Sequence, residues 1–182
     1  MEFHQLELVA LIAGVVAIGM SAPTFAQMFW GRPRIEIDFD DTMVSGAIFL
    51  QCHAYNDFIN SRLLRLLGVR RETAVDTWAV LRIRESGSGR IVLPYEAVEF
   101  TGRNGEPNST HVPITSGTIG RKFGVVWLNP NSKIVKVVGR EDMTLGVGEY
   151  LADINVFAAE RKKAATHKFV IHADGSLYWD PN

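Results

Sequence analysis

The side chains best suited to metal or nucleophilic chemistry are five histidines and a single cysteine. His167 and His172 suggest a metal pair, but they stand five residues apart in an alternating stretch and so project from opposite faces of a strand. His167 shares its face with Phe169 and Ile171, which predicts a core or rim imidazole. His53 falls on the outward face of its strand, and His111 sits beside a loop and Pro113. His4 precedes Glu7 at a spacing that suits two ligands on one helix. Zinc takes three or four nitrogen or sulfur ligands, and one cysteine leaves that set short. Cys52 lies next to His53, but adjacent strand residues point apart, so a buried small hydrophobe is expected rather than an activated thiol. The sequence holds no nucleophile elbow, no phosphate loop and no Cys-x-x-Cys pair. Gly146-Val147-Gly148 begins like a dinucleotide fingerprint, but Leu151 stands where the third glycine belongs and a strand follows. Asp38, Asp40 and Asp41, and again Glu141 and Asp142, read as solvated acids in or beside turns. No metal, cofactor or catalytic set is expected, and the chain reads as a non-enzyme.

Two groups of residues point to binding instead. Arg62, Arg65, Arg70 and Arg71 surround Leu63, Leu64, Leu66 and Leu67, a short basic amphipathic element. The plain expectation is a helix packing its leucines on the rest of the fold with its arginines in water. The functional one is contact with anionic lipid headgroups, where each cation contributes about 1 kcal/mol. The second group is Tyr178 and Trp179, either cover for a sheet edge or a docking patch for a protein partner.

The stretch Leu8–Gly31 holds no Asp, Glu, Lys or Arg. As a helix it would be about 36 Å long, against a hydrocarbon core of about 30 Å. Residues 8–31 are therefore expected to cross a lipid bilayer, with 1–31 forming an anchor and 32–182 a single soluble domain. Trp30, followed by Arg32 and Arg34, reads as an interfacial anchor. Glu2 and Glu7 before the apolar run and the arginines after it favour a cytoplasmic soluble domain. The competing expectation is a secretory leader cleaved after Ala26, since Ser21–Ala26 is rich in small residues; the acidic start argues against it. The net charge of −1 comes from 19 basic and 20 acidic residues scattered along the chain, which argues against nucleic acid as a partner.

The rest of the chain alternates with a period of two. Strands are expected over Arg34–Phe39, Ser45–Tyr55, Val75–Arg84, Ile91–Phe100, Val112–Thr115, Lys122–Leu128, Lys133–Val138, Glu149–Ala158 and Ala164–His172. Pro94 lacks an amide hydrogen and places its strand at an edge or beside a bulge. Residues 101–108 and 129–132 read as loops, and Glu160–Lys163 as a basic turn. One short helix is expected near Leu63–Leu67, capped by Asn60 or Ser61 and stopped near Gly68. Many short strands with one helical turn imply a mainly β, two-layer domain.

The segment Leu145–Ile154, with Tyr150 between Gly148 and Ala152, resembles the tyrosine corner of immunoglobulin-like and fibronectin-type β-sandwiches. The resemblance implies an antiparallel sandwich in which the Tyr150 hydroxyl ties back to upstream backbone. It also places Cys52 at the first cysteine position, Ala152 at the second and Trp78 at the core tryptophan. The expected function is a membrane-tethered binding or scaffolding module. An enzyme or small-ligand carrier on the same fold, or an exported domain freed after Ala26, is the alternative.

Overall fold

The computed structural model describes residues 2–102, 107–129, 131–158 and 161–180, with the side chains of 2–10, 118 and 119 outside the description. The loop reading at 103–106, the turn residues Pro130 and Glu160, and the His4–Glu7 side-chain pair fall outside the described residues.

A helix, α1 (Glu2–Trp30), is followed by β1 (Ile35–Val44), β2 (Ala47–Asn56), a short helix α2 (Arg62–Leu66), β3 (Ala74–Glu85), β4 (Ile91–Ala97), β5 (Val112–Ile114) and β6 (Gly117–Leu128). Then come β7 (Val135–Val137), β8 (Arg140–Leu145), β9 (Gly148–Ala158), β10 (Arg161–Ile171) and β11 (Leu177–Trp179). The protein is mainly β, in two sheets. One runs β1-β2-β6-β7-β8; the other runs β11-β10-β9-β3-β4, with β5 also paired to β3. Every pairing between named strands is antiparallel.

Alternation explains the core. Leu50, Cys52 and Ala54 of β2, with Phe123 and Val125 of β6, meet Ala79, Leu81 and Ile83 of β3, and Ala152, Ile154 and Phe169 of β9 and β10, in one buried cluster. Turns set the register. Ser45 and Gly46 both take positive φ (51° and 82°), the geometry of a two-residue hairpin, and β1 pairs with β2 without a slip from Ile35↔Asn56 to Val44↔Ala47. β6 lies so close to β2 that a Cβ at Gly120 would fall 2.1 Å from the Ala54 carbonyl oxygen. That approach admits only glycine.

Pro94 does sit on an edge strand, β4. Four expectations are corrected. Asp40 and Asp41 are not beside a turn but, with Asp38 of the expected strand, lie within β1, whose position at the sheet edge tolerates charge. Arg140, Glu141 and Asp142 open a strand, β8, that their charge disguised; it too is an edge. Arg161–Lys163 belong to β10, because Lys162 pairs with Phe157 and Lys163 with Val156. Val75 is exposed, although strict alternation through Val75–Arg84 groups it with Ala79, Leu81 and Ile83. Asp76 takes φ 51° and breaks the alternation there, so Ala74 and Thr77 turn inward instead.

Candidate functional site

The arginine–leucine segment named above lies at the end of the domain where α1 enters. The described residues contain one helix long and apolar enough to cross a membrane, Leu11–Trp30, and its own fold leaves it almost wholly uncovered. The exception is its last two turns. There Ala26 is only 3% exposed, packed with Ile59 and Val69 and with the half-buried Leu64 and Leu67, in a cluster separate from the main core.

Hydrogen bonds fasten this contact. The Gln27 side-chain amide donates from Nε2 to the Arg70 carbonyl and accepts at Oε1 from the Arg70 amide, both at 2.9 Å. Arg71 Nη1 donates to the carbonyls of Trp30 (2.6 Å) and Arg32 (2.9 Å), placing a cation at the negative end of the α1 dipole. The Glu72 amide donates to the Gly31 carbonyl at 2.6 Å. A Cβ at Gly31 would lie 2.1 Å from Gln27 Nε2, so glycine is what lets the chain turn away beneath that amide. Below the junction, Asn56 is fully buried. Its Oδ1 accepts from the Arg34 amide (2.9 Å) and its Nδ2 donates to the Glu72 carbonyl (2.7 Å). Asn56 was not singled out from sequence; its one signal is a polar residue ending an apolar alternation.

The leucine stripe splits at 3.6 residues per turn. Leu64 and Leu67 pack toward α1, whereas Leu63 (67% exposed) and Leu66 (84%) face outward. The expectation that all four leucines would pack on the strand layers is corrected: a five-residue helix presents two faces, and only one is used. Ser61 supplies the cap, accepting from the Leu64 amide at 3.4 Å, and Gly68 (φ 74°) ends the turn. Arg62, Arg65 and Arg70 are exposed, and among the described residues no ion pair engages their guanidinium groups. Arg71 differs: it is half-buried and spent on α1, so it leaves the set of headgroup candidates. Burial pulls its pKa down from the ordinary guanidinium value. An apolar cleft of about 650 Å³ opens beside α2, lined by Phe58, Ile59, Arg65, Val69, Arg70 and Ser116.

The remaining candidates are dispersed. Trp30 is exposed at the end of α1. Arg32 Nε donates to the Met28 carbonyl (3.3 Å), and Arg34 pairs with Glu36 (3.0 Å). Lys163, then Arg34, hold the Glu36 carboxyl below its usual value. Trp179 is half-buried: its indole nitrogen donates to the Asp40 carbonyl (2.9 Å), and its ring packs against Phe39, His167 and Phe169. It closes the gap between the two sheets, and beside it Tyr178 is 40% exposed and bonded to His172 at 2.6 Å. Cys52 is fully buried, and desolvation pushes its thiol well up. Trp78 is corrected from a core position: it lies half-buried on the outer face, stacked on Phe157 at 4.1 Å, because it shares the parity of Arg82 and Arg84. Among the described residues no three His, Cys, Asp or Glu side chains are grouped to hold a metal ion. Neither a protein-family model nor a curated protein sequence matches the chain.

Proposed function

We propose that this chain is a single-pass membrane protein whose strand-built head acts as a binding or scaffolding module held against one face of the bilayer. The observation that carries the reading is α1. Twenty consecutive residues, Leu11–Trp30, form an apolar helix that its own fold leaves bare. Such a helix needs lipid around it. Its end is fastened to the head through Gln27, Gly31 and Arg71 rather than left on a slack linker. Release by cleavage after Ala26 is disfavoured by the same contacts, since Ala26 lies inside the helix and is packed against Ile59 and Val69.

A cytoplasmic head is favoured by charge. The fold gathers Arg32, Arg62, Arg65 and Arg70 at the α1 end, and the cytoplasmic leaflet carries the negative surface. A binding role is preferred to catalysis because the perturbed groups do not converge: Cys52 is in the core, His167 at the rim and Asp153 on an outer face. At fold level the head is read as immunoglobulin-like on the strength of Tyr150, whose hydroxyl donates to the Gly146 carbonyl at 3.0 Å, the bond a tyrosine corner makes. The likeness rests on the β10-β9-β3 sheet. Beyond β6, the first sheet runs to strands that follow it in the chain, whereas in the immunoglobulin order the outer strand precedes its neighbour.

The test is fractionation of cells expressing the full chain with a carboxy-terminal tag. The expected result is retention in membranes after alkaline carbonate, release by detergent, a mass that includes residues 1–26, and a tag open to protease only after the membrane is breached on its cytoplasmic side. A soluble product, or a mature chain beginning at Gln27, overturns the proposal.

A further inference from the structure

We infer that the α2 turn is a second membrane contact: Leu63 and Leu66 insert among acyl chains while Arg62, Arg65 and Arg70 take the phosphates of anionic phospholipids. This rests on the reading of α1 as a membrane span. Three observations carry it. The first is depth. The segment that holds α2 packs on Ala26, four residues before Trp30, hence about 6 Å along the helix axis from it. The polar layer on each side of the hydrocarbon core is about 5–8 Å thick, so with Trp30 at its outer level the α2 turn lies within that layer.

The second is the direction of the side chains. Leu64 and Leu67 face the helix, and Leu63 and Leu66, the two most exposed leucines of the head, face away from it on the same short turn. Water is a poor environment for two adjacent leucines, and the tether brings lipid to them at no further cost in association entropy.

The third is charge. Arg62, Arg65 and Arg70 flank those leucines, are exposed, and are engaged by no ion pair among the described residues, while the fourth arginine of the run is turned inward as a cap on α1. Long arginine stems let the guanidinium groups reach phosphate while the leucines stay in the acyl layer. The double fastening through Gln27 and Arg71 holds this surface at a fixed height on the span.

The experiment uses the full chain in vesicles of phosphatidylcholine, with and without phosphatidylglycerol. The variants Leu63→Cys and Leu66→Cys carry an environment-sensitive label, and Val147→Cys serves as a control far from α1 in sequence. Cys52 is fully buried and stays unlabelled in the native state. Flotation of the same samples reads α1 insertion independently. Labels at 63 and 66 are expected to emit at shorter wavelength and to be quenched by lipid carrying a spin label near the headgroup, with the label at 147 unaffected. Phosphatidylglycerol should raise the lipid-shielded fraction, and each Arg→Gln change at 62, 65 or 70 should lower the shielded-to-exposed ratio about fivefold. If the chain floats with lipid while both labels stay in water, the inference falls and the span stands. If the chain does not float, both fall. Shielding that is independent of phosphatidylglycerol and of the arginines, or reproduced in phosphatidylcholine by soluble inorganic phosphate, also overturns it. The first result indicates burial of the leucines without headgroup recognition and the second a free-phosphate site.

Discussion

Asp153 faces the outer side of the second sheet, yet it is only 5% exposed. Arg82 (2.7 Å), Arg84 (2.9 Å) and Thr166 (2.7 Å) close over its carboxylate, and the Arg82 guanidinium also lies 4.6 Å from the centre of the Tyr95 ring. Burial raises the Asp153 pKa, but the hydrogen bonds from Arg84, Thr166 and Arg82 outweigh it, and the net shift is downward. The sign of the linkage follows. A carboxyl with a depressed folded pKa stabilises the fold above its unfolded value of about 3.9, and the gain disappears as pH falls through the folded value. Asp153→Asn should therefore cost about 2 kcal/mol at neutral pH and flatten the acid limb of the stability curve below about pH 4, as measured by chemical denaturation across pH. An unchanged acid limb would show that the cluster contributes nothing. His167 behaves in the opposite chemical sense: burial against Phe39 and Trp179 lowers its pKa and favours the neutral ring. The rim position of His167 follows from its parity with Phe169 and Ile171, but the Asp153 cluster is not readable residue by residue, since Arg82, Arg84, Asp153 and Thr166 come from three strands whose register only pairing defines.

At the scale of elements, the junction between α1 and the head is specified by small features. Gln27 is one of three polar side chains, with Ser21 and Thr24, in the uncharged run, and Gly31 is its last residue. Together Gln27 and Gly31 make the contact: the amide bridges to Arg70, and the absent Cβ leaves room for it. Gln27→Ala and Gly31→Ala should each raise amide exchange across residues 59–72 by about tenfold, the factor that 1.4 kcal/mol gives, while exchange in β9 stays unchanged. Equal protection in both variants would mean that the segment is held by its leucines alone. The same scale explains the misread strands. A charged run such as Arg140-Glu141-Asp142 looks like a turn when judged by polarity. At a sheet edge, one side of the backbone needs no strand partner, and charge there discourages further pairing.

The whole molecule is two sheets over one core with a helix attached at one end. Among the described residues, none of those in α1 enters the main buried cluster; Ala26 belongs to the small satellite one. Residues 32–182 alone should therefore fold and melt cooperatively. Their midpoint should lie within about 8 °C of that of the detergent-solubilised full chain, the shift that ~2 kcal/mol produces in a domain of this size. Loss of the cooperative transition would show that α1 is part of the core after all.

The division into an apolar helix and a strand-rich domain was written in local order, because a 24-residue run without charge and a period of two are each set by neighbours in the chain. Pro94 at an edge, Cys52 in the core and the tie of the Tyr150 hydroxyl to upstream backbone were legible for the same reason: a missing amide hydrogen, an alternating parity and a four-residue backbone loop are all local. Tertiary structure alone decided which sheet each strand joins, that Arg71 turns inward while Arg62, Arg65 and Arg70 stay outside, that Leu63 and Leu66 are left bare, and that Trp179 closes the two layers. Those outcomes depend on groups 40 or more residues away, such as the Trp30 carbonyl that receives Arg71 and the Asp40 carbonyl that receives Trp179. Composition and spacing carry no trace of such partners, because a hydrogen bond is specified by where two atoms meet and not by how far apart they lie along the chain.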